Sequence, residues 1–188
     1  MGKAIVILIM LIGIGCAPGG GGTTTGNGIV DVNMQAYTGL SSKVSSMAVT
    51  SLTMCFKRLR FKTEGESTDA DPSTDSDNID LSLGEITLSA TGTNLGLVSV
   101  PYGTYSRVEF DLEKDCVDTI TSNSVEVTNG NGSFFTEDRI TIKFEGTFVV
   151  GSSSNVLNLG VQAIVDALDS VSANEQIKTQ AEAVSGTY

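Results

Sequence analysis

From residue 29 onward, apolar and polar positions alternate in short runs separated by turn residues. The clearest run lies behind a turn closed by Pro101 and Gly103, where Val108, Phe110 and Leu112 alternate with Arg107, Glu109 and Asp111. A period of two with one apolar and one charged face predicts a strand half buried in an antiparallel sheet, its charges in solvent. Ile29 to Tyr37 repeats the pattern, with Val30, Val32, Met34 and Ala36 set against Asp31, Asn33 and Gln35. Between Val49 and Lys62 the parity changes: Leu52, Met54 and Phe56 share one phase, Leu59 and Phe61 the other. A phase change inside one strand needs an extra residue, which predicts a β-bulge near Lys57-Arg58.

Further runs follow. Ile79, Leu81 and Leu83 alternate up to Gly84, and Ile86, Leu88 and Ala90 resume the pattern before Leu95 to Val100 leads into the Pro101 turn. Val125 to Thr128 precedes Asn129-Gly130-Asn131-Gly132, a strong hairpin signal because these residues accept positive φ. Arg139 to Val150 is the longest run, with Ile140, Ile142, Phe144, Phe148 and Val150 on one face and Gly146 marking a bend or close packing, and Val156 to Leu159 comes next. Roughly eight or nine short strands with regular turn signals predict a mainly β chain folded as one antiparallel β-sandwich over 29–160.

After residue 160 the period lengthens. Val161, Ile164, Val165, Leu168 and Val171 stand at helical spacing, and Ser172 to Glu175 reads as a capping box opening a second helix through Ala183, with Ile177 its one obvious apolar contact. The segment 161–188 is therefore expected to add one or two short helices over an edge or end of the sandwich.

The first residues obey other rules. Lys3 precedes the apolar run Ala4 to Ile12, too short to span a bilayer but suited to a signal-peptide core, so 1–15 is expected to be a removed signal. Gly13-Ile14-Gly15-Cys16 resembles a bacterial lipobox, although Gly13 and Ile14 replace the more usual Leu and Ala or Ser. The resemblance implies lipidation of Cys16; an ordinary secretory signal is the alternative. Glycine-rich 16–28 then reads as a flexible tether between anchor and domain. The cysteine count fits export. Of three cysteines, assigning Cys16 to lipid leaves Cys55 and Cys116 as a candidate disulfide, with two separate buried thiols the alternative.

Charge narrows the partners. A net charge of −11 argues against nucleic acid, which binds through neutralisation of its phosphates. Against that background Lys57, Arg58, Arg60 and Lys62 supply four of the ten basic residues left once Lys3 is removed. Such a cluster on a strand is expected to lie on an outward face or edge, where it discourages aggregation; a docking patch for an acidic polymer or protein is the sharper reading. Within the acidic stretch 63–78, Asp69, Asp71, Asp75 and Asp77, with Asp80 just beyond, present hard oxygen ligands for Ca2+, but the spacing fits no EF-hand. A solvated loop is the plainer reading, with no other cofactor implied.

No catalytic constellation emerges. The chain has no histidine, which excludes Ser-His-Asp and Cys-His devices, and no phosphate-binding loop. The pairs Glu109/Asp111 and Glu113/Asp115 read as solvated faces.

Val49 to Leu159 resembles a family of bacterial and archaeal exported lipoproteins. The resemblance rests on the Pro101, Gly103, Tyr105 turn, on the alternating run Ser106 to Leu112, and on the late strand and hairpin between Ile140 and Leu159. It implies a prealbumin-like or Ig-like sandwich, related to carbohydrate-binding and adhesive modules, and no agreed activity. The expectation is a non-enzymatic lipoprotein of the bacterial cell envelope, on the outer membrane or cell surface. Its membrane contact is the lipid anchor, and it binds a surface glycan or an envelope protein. The alternative is a structural subunit of a larger envelope assembly.

Overall fold

The computed structural model describes residues 26–35, 48–65, 79–89, 91–116 and 122–188. The expected signal, Cys16, most of the tether, and Asp69, Asp71, Asp75 and Asp77 lie outside the described residues.

The chain is mainly β, in two sheets. The smaller contains β4 (Thr93–Pro101), β1 (Asn27–Met34) and β9 (Asn155–Leu159) in that order. The larger runs β10 (Ser185–Thr187), β8 (Ile140–Val150), β5 (Gly103–Leu112), β2 (Ser51–Lys62), β6 (Val125–Asn129) and β7 (Gly132–Thr136), with β3 (Ile79–Thr87) along the other side of β2. The antiparallel expectation needs correction. β1 pairs antiparallel with β4 but parallel with β9, and β10 pairs parallel with β8, so both sheets are mixed.

One core joins the sheets. Val30, Val32, Val98, Val100 and Leu157 of the small sheet belong to the same buried cluster as Phe56, Phe110 and Phe144 of the large one. Those three rings meet edge to face, with centroids 5.4 Å apart for Phe56–Phe110 and 5.9 Å for Phe110–Phe144. Such pairs contribute about 1 kcal/mol each beyond the area they bury. The chain crosses between the sheets at Tyr102, where Tyr105 Oη donates to the Pro101 carbonyl at 2.8 Å and clamps the corner predicted as a turn.

The bulge predicted near Lys57-Arg58 is present, because the register of β2 against both β3 and β5 shifts between Phe56 and Arg58. It explains how Phe56 and Leu59 both reach the core. The Asn-Gly hairpin is also present, joining β6 to β7, but its positive φ falls on Gly132 at 138°.

The C-terminal segment does more than patch an edge. Helix α1 (Gln162–Leu168) buries Ile164, Val165 and Leu168, and α2 (Gln176–Glu182) buries Ile177 and Ala181. The second helix starts later than the capping box implied: Glu175 makes no side-chain cap, and Gln176 Oε1 instead accepts from the Ser172 amide at 2.8 Å. Asn129 Nδ2 donates to the carbonyls of Leu168 (3.1 Å) and Val171 (2.8 Å), so the hairpin tip satisfies the free end of α1. Beyond α2 comes β10, which the periodicity did not predict. Gly160 N donates to the Thr187 carbonyl at 2.7 Å, so this short strand bridges β8 to the end of β9. Gly186 is required there, since a Cβ would come within 2.4 Å of the Phe144 ring and 2.6 Å of the Gly160 carbonyl.

Candidate functional site

Two regions concentrate polar side chains: the face of the large sheet turned away from the core, and the corresponding face of the small one.

On the large sheet, strand alternation points Arg58, Arg60 and Lys62 of β2 away from the core, beside Arg107, Glu109 and Asp111 of β5. Sequence alone placed these charges in solvent. Instead Arg60 is 1% exposed, Lys62 3%, and Glu109 and Asp111 are fully buried. Strand β2 is held by β3 along Thr53–Leu59 on one side and by β5 and β6 on the other, so Lys57 and Arg58 are not on an edge.

The Arg60 guanidinium grips both carboxylates. It pairs with Asp111 in a bidentate arrangement, Nη1 to Oδ2 and Nη2 to Oδ1, and reaches Glu109 Oε2 through Nε (3.2 Å) and Nη2 (3.1 Å). Arg107 Nε donates to Glu109 Oε1 at 2.7 Å, and Thr141 Oγ1 donates to Asp111 Oδ1 at 2.8 Å. Burial by itself would lower the Arg60 pKa, but the Asp111 and then the Glu109 carboxylates outweigh it and hold the pKa above its usual value. Among the described residues, no buried side-chain nitrogen or oxygen lacks a hydrogen-bond partner. Lys57 Nζ donates to the Asp115 carbonyl at 2.7 Å and Arg58 pairs with Glu113. The four cations singled out as a docking patch are therefore engaged within the molecule, and two are buried. Of these, Arg60 joins β2 to β5 directly.

Beside the bulge of β2 a disulfide joins Cys55 to Cys116, with Cα atoms 5.6 Å apart. Among the described residues, no three His, Cys, Asp or Glu side chains come together to hold a metal ion.

The small sheet differs. Its outward face carries Ile29, Asp31 and Asn33 from β1, Asn94 and Leu97 from β4, and Val156 and Asn158 from β9. Register places these residues in rows. Asp31 stands opposite Leu97 on one side and Val156 on the other, and Asn33 stands between Asn94 and Asn158. The three-asparagine row depends on a second bulge. Along β4, Val100 and Val98 point inward and Leu97 outward, so strict alternation would turn Leu95 outward as well. At Gly96, whose φ is +102°, the register shifts; Leu95 is buried and Asn94 comes onto the outward face beside Asn33. Asn94 Nδ2 donates at 2.7 Å to both Asp31 Oδ1 and Asn33 Oδ1, which fixes the two amides relative to each other.

This row forms one wall of an open cleft of about 620 Å³ where β1 leaves the sheet. Asn33, Gln35, Asn94, Asn158, Thr93 and the edge of Met34 line it, together with the turn before β4, and none of the lining residues is charged. Among the described residues, the side chains of Gln35 and Asn158 have no hydrogen-bond partner within the protein. Leu97 at 71%, Val156 at 54% and Ile29 at 53% are exposed in the adjoining rows. Sequence reasoning missed this site. The polar phase of β1 was visible, but nothing in the order of residues says that Asn94 and Asn158 flank Asn33.

Among the described residues no helix is long and apolar enough to cross a membrane. No family model, no curated protein and no solved structure matches the chain.

Proposed function

We propose that this chain is a non-enzymatic binding module, exported and tethered to a membrane of the bacterial cell envelope by lipid on Cys16. Its two sheets form a prealbumin-like sandwich, and the outward face of β4-β1-β9 is the ligand surface. One observation carries the reading: that face combines an uncharged amide-lined cleft with exposed Leu97, Val156 and Ile29, whereas the buried polar groups of the large sheet satisfy one another. Soluble proteins seldom leave large apolar side chains grouped in solvent without a partner for them.

The tether supports the same reading. It joins β1 at Asn27, and the cleft opens beyond Asn33 at the strand's other end, about 20 Å away at the usual rise per residue. A lipid on Cys16 would thus attach the domain at the end of β1 opposite the cleft.

Metabolic labelling with palmitate tests the anchor, using Cys16→Ser as control. Label is expected on the wild type and absent from the variant; an unlabelled wild type ends the proposal of a lipid tether. Immobilised protein exposed to solubilised envelope and to a glycan array tests binding. Retention of a ligand that is lost on Leu97→Asp is expected. A stoichiometric partner that never dissociates would instead assign this face to a permanent envelope assembly, and failure to retain anything would remove the binding role.

A further inference from the structure

We infer that the cleft bounded by Asn33, Asn94 and Asn158 binds a neutral saccharide, an assignment that rests on the binding-module reading and gives its ligand a chemical class. The three carboxamides stand abreast on neighbouring strands, spaced by the roughly 4.8 Å that separates paired strands. Each carboxamide offers both donors and an acceptor, as each sugar hydroxyl does, so an amide row matches a run of ring hydroxyls without any charge. Asn94 already spends its Nδ2 donor on Asp31 and Asn33. That locks the pair in orientation and leaves the Asn94 Oδ1 acceptor, the whole Asn158 amide and the Gln35 amide for a ligand.

The described surroundings disfavour other ligand classes. Among the described residues no lysine or arginine lines the cleft, and the Asp31 carboxylate stands in the next row, so a phosphate, sulfate or carboxylate would meet repulsion there. A metal ion would find amides and hydroxyls but no carboxylate in the lining. A purely apolar ligand would strand the amides. A saccharide has hydroxyls for the asparagine row and apolar C–H faces for Leu97 and Val156, which flank Asp31 one row away.

The test uses the full chain in detergent, displayed multivalently on an array that carries neutral oligosaccharides (N-acetylglucosamine, glucose and mannose series) and anionic ones (sialylated and sulfated). Binding to at least one neutral series and to no anionic one is expected. Asn158→Ala combined with Gln35→Ala should weaken it roughly tenfold, as loss of a few hydrogen bonds implies, with an unchanged melting temperature because both side chains are exposed and unpartnered. In a titration followed by NMR, the side-chain amide signals of Asn33, Asn94 and Asn158 should shift with the bound sugar. Retention of anionic glycans alone overturns the assignment, as does neutral-glycan binding that survives the double substitution. Absence of any saccharide binding overturns it too. In that case, capture of an envelope protein lost on Leu97→Asp leaves the binding-module reading standing, and capture of nothing removes both.

Discussion

Arg60, Glu109 and Asp111 lie on the side of the large sheet turned away from the core and are almost wholly buried. Leu97 and Val156 lie on the equivalent side of the small sheet and are 71% and 54% exposed. The charged centre of one face is dry and the partly apolar face is wet, the reverse of what residue type alone implies. The difference lies in what each face does. On the large sheet, opposite charges on neighbouring strands complete one another's hydrogen bonds, so they tolerate burial. On the small sheet, amides and aliphatic side chains stand in register with part of their bonding capacity unused, which suits a surface kept for something outside the chain.

The strongest way to break this contrast is to unpair the buried cluster. Arg60→Ala leaves Asp111 and one oxygen of Glu109 without their cation in a dry site, and should cost about 3–5 kcal/mol. That corresponds to a melting temperature lower by the order of 10 °C, read by calorimetry. A loss below about 1 kcal/mol would show that water reaches the face and that its burial means little. Removing the disulfide tests the same sheet beside the bulge of β2. Cys55→Ala with Cys116→Ala opens a loop spanning 61 residues and should lower stability by roughly 4 kcal/mol in urea unfolding. Equal midpoints for the oxidised protein and the variant would mean that the bridge contributes nothing there.

A smaller effect is expected at Tyr188, at the margin of the large sheet. Burial pushes its phenol up to about 12, against a lesser opposing pull from Arg107 and a further push from Glu145. Its hydroxyl donates to the Gly146 carbonyl at 3.1 Å, a bond the tyrosinate cannot make. An unfolded tyrosine ionises near 10.0, so this group's contribution is whole below that pH and is lost as pH rises towards about 12. Tyr188→Phe should therefore flatten the fall of the urea midpoint across that interval; an identical fall in the variant would contradict the assignment. The smallest effect belongs to the small sheet's outward face. Leu97→Ser and Asn158→Ala should each change stability by less than about 0.5 kcal/mol, although a leucine truncated in a core costs several. A large loss at either position would mean that this face is packed rather than open.

Much of the strand structure was legible in the order of residues. The phase change between Phe56 and Leu59 gave the bulge, Pro101 to Tyr105 gave the corner, and Asn129-Gly130 gave the hairpin. The spacing of Val161, Ile164, Val165 and Leu168 gave the first helix. The candidate site was almost entirely hidden. Asp31, Asn33 and Gln35 were recognised as a polar phase, but the asparagine row also needs a parallel β9 and a Gly96 bulge that turns Asn94 outward. Neither leaves a periodic mark. Strand β10 was missed for a related reason: Ser185, Gly186 and Thr187 have no apolar alternation, and their place is set by the Phe144 ring and the Gly160 backbone.

By itself the sequence determined which side chains share a face of each strand, because the pleat alternates whatever the strand's neighbours are. It also determined where the chain must turn, because proline and glycine restrict or release the backbone locally. Only the tertiary structure decided which strands become neighbours, and so which charges are buried as pairs and which amides stand in a row. Backbone hydrogen bonds are the same for every residue type and cannot name a partner strand. That choice is made by the packing of the whole core and the closure of its ends.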